Sequence, residues 1–314
     1  MKNFALTGVA GYIAPRHLQA IKDTGNNLIA VCDPHDAVGI IDRYFPEADY
    51  FREFERFDRH LEKYRRNGGH LDYLSICTPN HLHDAHIRLA LRLGADAICE
   101  KPLVLNPWNL DALSLLENEF GKKVYTILQL RVHQDLIKLK EKLKEEKSGK
   151  KYKVDLTYIT SRGSWYDFSW KGDLQKSGGI ATNIGVHFFD LIIWLFGNVR
   201  NSEVHLKENR RMSGFIDLEN AEVLWYLSLN REDLPEEAVR KNKTTFRSIM
   251  YDDKEIQFSE GFTELHTRVY EEILAERGFG IEEDRPSIEL VYKIRNDKVK
   301  EYPTELHYLL KNRT

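Results

Sequence analysis

The sequence predicts an α/β protein: an N-terminal doubly wound parallel sheet, then an α+β domain built on a large, mainly antiparallel sheet. Three observations carry that reading. Over residues 1–125, short apolar runs alternate with amphipathic helical patterns, as parallel strands with crossover helices require. A glycine-bearing turn joins the first run to the first helical pattern. Beyond about residue 150 the strands lengthen and begin to alternate in polarity, and no helix separates those from about Ser202 to Glu260, which favours antiparallel pairing there. A chain of 314 residues also exceeds the usual size of one hydrophobic core, so two domains are expected, 1–125 and 126–314.

Each element follows from local pattern. Phe4 to Gly8 reads as a strand, and Pro15 to Lys22 as a helix with proline in its first turn, where no backbone bond is lost. Asn27 to Asp33 is the second strand. Leu71 to Cys77 is another, followed by a helix from His81 to Leu93 that Gly94 caps. Asp96 to Glu100 forms a strand, Pro107 to Phe120 a helix, and Val124 to Val132 closes the series. Leu136 to Glu146 is a Lys/Glu-rich helix. In the next strand Val154, Leu156, Tyr158 and Thr160 share one side, and Lys153, Asp155, Thr157 and Ile159 the other. Glu222 to Asn230 and Thr244 to Met250 read as further strands. The charged stretch Arg231 to Lys243 reads as a surface hairpin or linker.

Composition narrows the function classes. The hydrophobic share is 42% and the charged share 30%, values of an ordinary globular chain. A net charge of −3 excludes general nucleic-acid binding, which needs a basic face against phosphates. Cys32, Cys77 and Cys99 form no CxxC pair; each ends an apolar run and reads as a small buried side chain. Sparse cysteines fit a reducing compartment. No apolar stretch reads as bilayer-spanning, so a soluble, cytoplasmic protein without membrane association is expected.

The turn Gly8-Val9-Ala10-Gly11-Tyr12-Ile13-Ala14 lies between the first strand and first helix. Glycines there let the backbone approach a pyrophosphate, whose charge faces a helix N-terminus. The pattern is GxxGxxA rather than GxGxxG, and alone it is weak. Asp33 strengthens it: this acid ends the second strand, 25 positions after Gly8, near the spacing expected for a ribose-binding carboxylate. A carboxylate there repels a 2′-phosphate, and Pro34-His35-Asp36 supplies no arginine to hold one, so NAD rather than NADP is expected. Gly8, Gly11, Tyr12, Ile13 and Asp33 are the candidate cofactor residues of the 1–125 dinucleotide-binding domain. Two loops, Thr78-Pro79-Asn80-His81-Leu82-His83 and Glu100-Lys101-Pro102, follow strands directly and so belong at the ligand-binding end of the sheet. A lysine held beside a cationic ring can move protons.

With these loops, the segment Gly178-Gly179-Ile180-Ala181-Thr182-Asn183-Ile184-Gly185-Val186-His187-Phe188-Phe189-Asp190 completes a resemblance to the glucose–fructose oxidoreductase / inositol dehydrogenase / MocA family. The motifs are TPNxxH, EKP and GGxxxDxGxHxxD, and the similarity covers almost the whole chain. One departure is Asn183, where many members carry aspartate. The resemblance implies an NAD-dependent dehydrogenase acting on a CH–OH group. It implies that Thr78, Pro79, Asn80, His83, Glu100, Lys101 and Gln129 contact the cofactor, that Lys101 hydrogen-bonds the reacting hydroxyl, and that His187 is the partner acid/base. Asn183 can orient a hydroxyl but cannot take its proton. Asn183 and His187 are also spaced i, i+4, as on one helix face.

Within that family the chain is most similar to the UDP-N-acetylglucosaminuronate 3-dehydrogenases (the WlbA type) of bacterial surface-polysaccharide, or O-antigen lipopolysaccharide, synthesis. Gly8 to His17, Glu100 to Leu113 and Gln129-Leu130-Arg131-Val132-His133 carry that similarity. It implies a nucleotide-sugar substrate, oxidised at the 3-hydroxyl to a ketone, with 2-oxoglutarate as a possible re-oxidant of NADH, and a homotetramer. A substrate carrying a diphosphate and a carboxylate needs cationic donors, and Arg131, Arg162, Trp165, Tyr166 and Lys171 are the candidates to contact it. Three other readings compete. Another sugar or an inositol could be the substrate of the same reaction. A non-catalytic NAD-binding redox sensor would not need Lys101 and His187 at the nicotinamide. A metalloenzyme could use His81, His83, Asp84 and His86, although such helical clusters often serve as caps, and no metal is expected. Outward residues such as Ile159, Leu224 and Tyr226 could pair subunits.

Overall fold

The computed structural model describes residues 1–146, 149, 151–256 and 264–311. It divides into two compact units: Met1–Val132 with the described residues from 264 to Arg285, and residues from His133 to 256 with those from Pro286 to 311. The first unit thus takes a helix, Leu265–Leu274, from late in the chain, which a contiguous division at 125/126 does not include. Packing explains it. Val269, Tyr270 and Ile273 are fully buried in one cluster with Phe4, Leu18 and Ile21, and the Phe4 ring stacks on Tyr73 at 4.9 Å and Tyr270 at 5.9 Å.

The first unit carries a parallel sheet of six strands: β1 (Asn3–Thr7), β2 (Asn27–Cys32), β3 (Asp49–Phe51), β4 (Tyr73–Ile76), β5 (Asp96–Cys99) and β6 (Val124–Thr126). Their order is β3-β2-β1-β4-β5-β6. The strands are apolar on both faces because helices cover both, which erases the alternation of a half-exposed strand. Chain order reverses between β1 and β4, the switch point where the carboxyl ends of such strands open a crevice. Two elements lacked a clear sequence signal: β3, only three residues long, and the helix Phe54–Arg66, rich in charge with only Phe57 and Leu61 buried. The expected strand Val124 to Val132 stops at Thr126, and Gln129–Val132 is a single 3-10 turn.

The second unit carries β7 (Tyr152–Thr160), β8 (Val199–Lys207), β9 (Arg211–Leu218), β10 (Ala221–Ser228), β11 (Thr245–Tyr251) and β12 (Lys254–Glu255), ordered β12-β11-β7-β10-β9-β8. All neighbours are antiparallel except β7 and β10, which run parallel. So β10 and β11 do not form a hairpin; they flank β7. The charged connection between them is no loose linker. It holds a 3-10 turn, Arg231–Asp233, and a short helix, Glu236–Arg240. Buried Asp233 accepts bonds from the Tyr226 hydroxyl (2.9 Å) and from Ser228 (2.5 Å) and ties the connection to the sheet.

Helix Val186–Phe196 packs on this sheet, with Phe189 edge-on to Trp225 at 5.3 Å. The stretch Leu174–Phe196, with mean hydropathy 1.5, is long and apolar enough to cross a bilayer by length and composition. It corrects the expectation that no segment qualifies. Mostly buried, it reads as a core helix, since a helix apolar all round belongs inside. Tyr226, Ile159 and Leu224, expected to face outward, are all buried, the first two fully. The chain's own C-terminal segment covers Tyr226: His307 stacks on it at 5.5 Å and bonds Thr157 at 3.0 Å.

Candidate active site

The glycine turn leaves β1 at the switch point. Gly8 has φ +84°, and a Cβ there would lie 2.6 Å from the Cys77 carbonyl carbon and 2.7 Å from the Thr78 nitrogen. Only hydrogen fits, because the strand ends touch backbone to backbone. Gly11 donates to the Gly8 carbonyl at 3.0 Å and its carbonyl receives Ala14 N–H at 3.1 Å, curling the chain into helix Ala14–Asp23. Ile13 is that helix's N-cap residue, and Tyr12 is 90% exposed beside it. Asp33 is buried, with one oxygen accepting Ala10 N–H at 3.0 Å and the other His35 N–H at 2.9 Å. It therefore braces the glycine turn, and a carboxylate with about four acceptor positions retains capacity for ribose hydroxyls. This cradle fits a dinucleotide.

The two strand-end loops are held from beneath. Asn80 is buried and opens a 3-10 turn after Pro79. Thr78 and Thr7 hydroxyls lie 3.3 Å and 3.0 Å from His86 Nδ1, and Phe54 stacks on that ring at 4.4 Å. Burial pushes the His86 pKa down to about 3. His83, expected at the cofactor, is fully buried; its ring nitrogens face the Pro102 carbonyl at 2.8 Å and the Thr78 carbonyl at 2.9 Å. Asp84 pairs with Arg88 at 2.8 Å. His83, Asp84 and His86 thus face separate partners.

Glu100 is turned inward. One of its oxygens accepts from His17 Nε2 and His266 Nε2, each at 3.0 Å, and the other from Lys101 N–H at 3.3 Å. His17 continues through Nδ1 to the Tyr270 hydroxyl at 2.7 Å, which reaches Ser75 at 2.7 Å. Burial pushes the Glu100 carboxyl up, but the bonds from His17 and His266 outweigh it and hold the group well below the usual carboxylate range. Burial lowers the His266 pKa. Sequence reading did not single out His266 and Tyr270. Their helix lies far along the chain, and only the shared core brings it back. His17, quoted within Gly8 to His17, was the one available signal. Lys101 follows Glu100 at the mouth of β5, partly exposed. Arg131 is buried, its guanidinium donating to the Glu283 carbonyl at 2.8 Å and lying 5.5 Å over the Phe279 ring. Gln129 begins the same 3-10 turn.

In the second unit, Gly178 (φ +79°) and Gly179 (φ +78°) turn the chain into the helix that holds Asn183 and His187. Residues Ala181–Gly185 form a π turn before the α-helix resumes at Val186. The π turn alters the simple α-helical i, i+4 register expected for Asn183 and His187; such turns frequently mark functional sites. Trp165–Phe168 is one helical turn. Trp165 is 54% exposed, whereas Tyr166 is buried and accepts Asn183 Nδ2–H at 2.7 Å. Arg162 N–H bonds the Leu229 carbonyl at 3.0 Å. Lys171 lies 4.6 Å over the Trp170 ring, and burial lowers its pKa, helped by Arg162.

A doubly wound sheet with a glycine cradle at its switch point defines a dinucleotide-binding protein. Models of an oxidoreductase family match residues 2–127, as its NAD-binding Rossmann fold, and 140–233, as its C-terminal alpha/beta domain. The chain belongs to this family, and its cofactor is NAD. The WlbA (WbpB) dehydrogenase of Thermus thermophilus, solved with NAD and alpha-ketoglutarate, is 51% identical with a TM-score of 0.95, covering 98% of this chain and 99% of that one. Its structure with NAD and UDP-GlcNAcA is 50% identical with a TM-score of 0.94 over the same shares. Among curated relatives, D-glucoside 3-dehydrogenase of Escherichia coli is 28% identical over 128 residues, 40% of this chain and 36% of that protein. Inositol 2-dehydrogenase of Rhizobium meliloti is 26% identical over 200 residues, 62% of this chain and 54% of its own length. Both curated proteins are thus matched over less than two thirds of their length.

Proposed function

We propose that this protein oxidises the 3-hydroxyl of a UDP-N-acetylated hexuronic acid to the 3-keto sugar. One observation carries the reading: half-identity, end to end, with a dehydrogenase solved with NAD and with UDP-GlcNAcA. NAD, when bound, supplies the hydride acceptor. Lys101 accepts the hydroxyl proton, with His187 as its partner acid/base and Asn183 orienting the hydroxyl. Tyr166 positions Asn183 through the bond between them. Arg162 and Trp165 contact the nucleotide sugar, and Arg131 shapes the turn that carries Gln129. Gly8, Gly11, Tyr12, Ile13, Asp33, Thr78, Pro79 and Asn80 hold the cofactor. 2-Oxoglutarate re-oxidises NADH in the same protein, as its presence in the Thermus structure suggests. The setting is cytoplasmic synthesis of surface polysaccharide by a homotetramer.

The test is incubation with NAD and UDP-N-acetylglucosaminuronate, with and without 2-oxoglutarate, followed by mass spectrometry. A product lighter by two hydrogens is expected, accumulating beyond one turnover only with the keto acid. No such product, alongside turnover of an inositol or free hexose, overturns the assignment of substrate.

A further inference from the structure

The hydrogen-bond pattern around Glu100 and His83 counts protons. Both ring nitrogens of His83 face oxygens that can only accept: the carbonyls of Pro102 at 2.8 Å and Thr78 at 2.9 Å. A neutral imidazole has one N–H and one lone pair. It would satisfy one carbonyl and set a lone pair against the other, inside a fully buried side chain. Two protons satisfy both. We propose that His83 is held as a buried imidazolium that clamps the Thr78 and Pro102 carbonyls together and so positions Lys101, the residue between Glu100 and Pro102.

The neighbouring histidines leave that role open to His83 alone. His17 and His266 each need only an Nε2 proton to donate to Glu100. The Tyr270 hydroxyl serves His17 Nδ1 as donor and Ser75 serves Tyr270 in turn. His266 Nδ1 is buried with no hydrogen-bond partner, so a proton there would be stranded. With His17 and His266 neutral, the buried Glu100 anion needs a cation, and a buried charge without one is costly. His83 provides it. The pKa of His83 is lowered on balance, burial being the largest cause with Lys101 adding to it, against the two carbonyl oxygens and Glu100, which raise it. The N-terminus of helix His83–Arg92 also opposes the charge, while Asp84 in its first turn favours it. Lone-pair repulsion burdens only the neutral form and decides for the charged one.

The clamp joins the loop after β4 to the loop after β5, the two that carry the candidate catalytic and cofactor residues. Its protonation state is independent of any substrate; its effect on catalysis rests on the proposed role of Lys101. A positive charge near an amine favours the neutral amine, the form that accepts a proton.

Neutron diffraction from deuterium-exchanged crystals of the NAD-bound protein at neutral pH reads the state directly. Deuterium on both nitrogens of His83, and on Nε2 alone of His17 and His266, is expected. A single deuterium on His83 overturns the proposal whatever the enzyme's substrate. The His83→Gln variant, assayed across pH, tests the consequence. Its acid limb in kcat/KM should move to higher pH, with kcat falling at least tenfold and the dissociation constant for NAD changing less. An unmoved limb with unchanged kcat sinks the positioning role even where neutron maps show two deuterons.

Discussion

Lys101 and Asp33 show how single side chains divide the labour. Removing a general base commonly costs two to four orders of magnitude, so Lys101→Met should reduce turnover by about that factor while NAD remains bound, as nicotinamide fluorescence on reduction would report. Unchanged turnover in that variant refutes its role. Asp33 has two duties, since its oxygens hold the turn at Ala10 and the backbone at His35. Asp33→Ser should therefore weaken NAD and NADP alike, with relaxed preference but no gain in absolute NADP affinity; a gain measured by titration would mean that the brace is unimportant. Glu100 sits within a network in which breaking one buried partner leaves the rest uncompensated. His17→Ala is expected to lower stability by about 1–3 kcal/mol, measured by urea unfolding.

At the scale of elements, the turn after β1 is the most constrained piece. Its glycine combines φ +84° with a backbone contact that a methyl would violate at 2.6 Å. The dihedral alone costs about 1–3 kcal/mol for another residue, before any strand displacement. Gly8→Ala should lose cofactor binding by calorimetry and melt several degrees lower, whereas Gly25→Ala, with nothing within 4 Å of its Cβ, should keep binding. The glycine turn, both strand-end loops and the apolar helix after Gly179 were legible because each rests on contiguous residues. Helix Phe54–Arg66 was not, because so few of its side chains are buried. The π turn at Asn183 was illegible too, since its spacing mimics an ordinary helix.

At the scale of the molecule, acid stability follows from histidines folded neutral. Burial lowers His86 and His307 to about 3 each. Their pKa values are higher in the unfolded chain, near 6.5, so below that point the unfolded state binds more protons and stability falls as pH drops toward 3. Glu100 acts in the same direction: its depressed pKa gives stability that is present above about 4.5 and lost at lower pH. Unfolding free energies from urea titration should decline steadily from pH 7 to 5, at up to about 1.4 kcal/mol per pH unit for each histidine. His307→Gln should flatten that slope; an identical slope would remove His307 from the account.

Local pattern determined the parallel sheet, the cradle for a dinucleotide, and the residue types able to move a proton, because backbone freedom and strand periodicity are properties of neighbouring residues. Tertiary structure alone decided which distant groups meet: His17, Glu100, His266 and Tyr270 join across a separation of up to 253 positions, and β10 and β11 flank β7 instead of each other. Such contacts follow from burying apolar faces in a common core, and that is a global balance which no local stretch encodes.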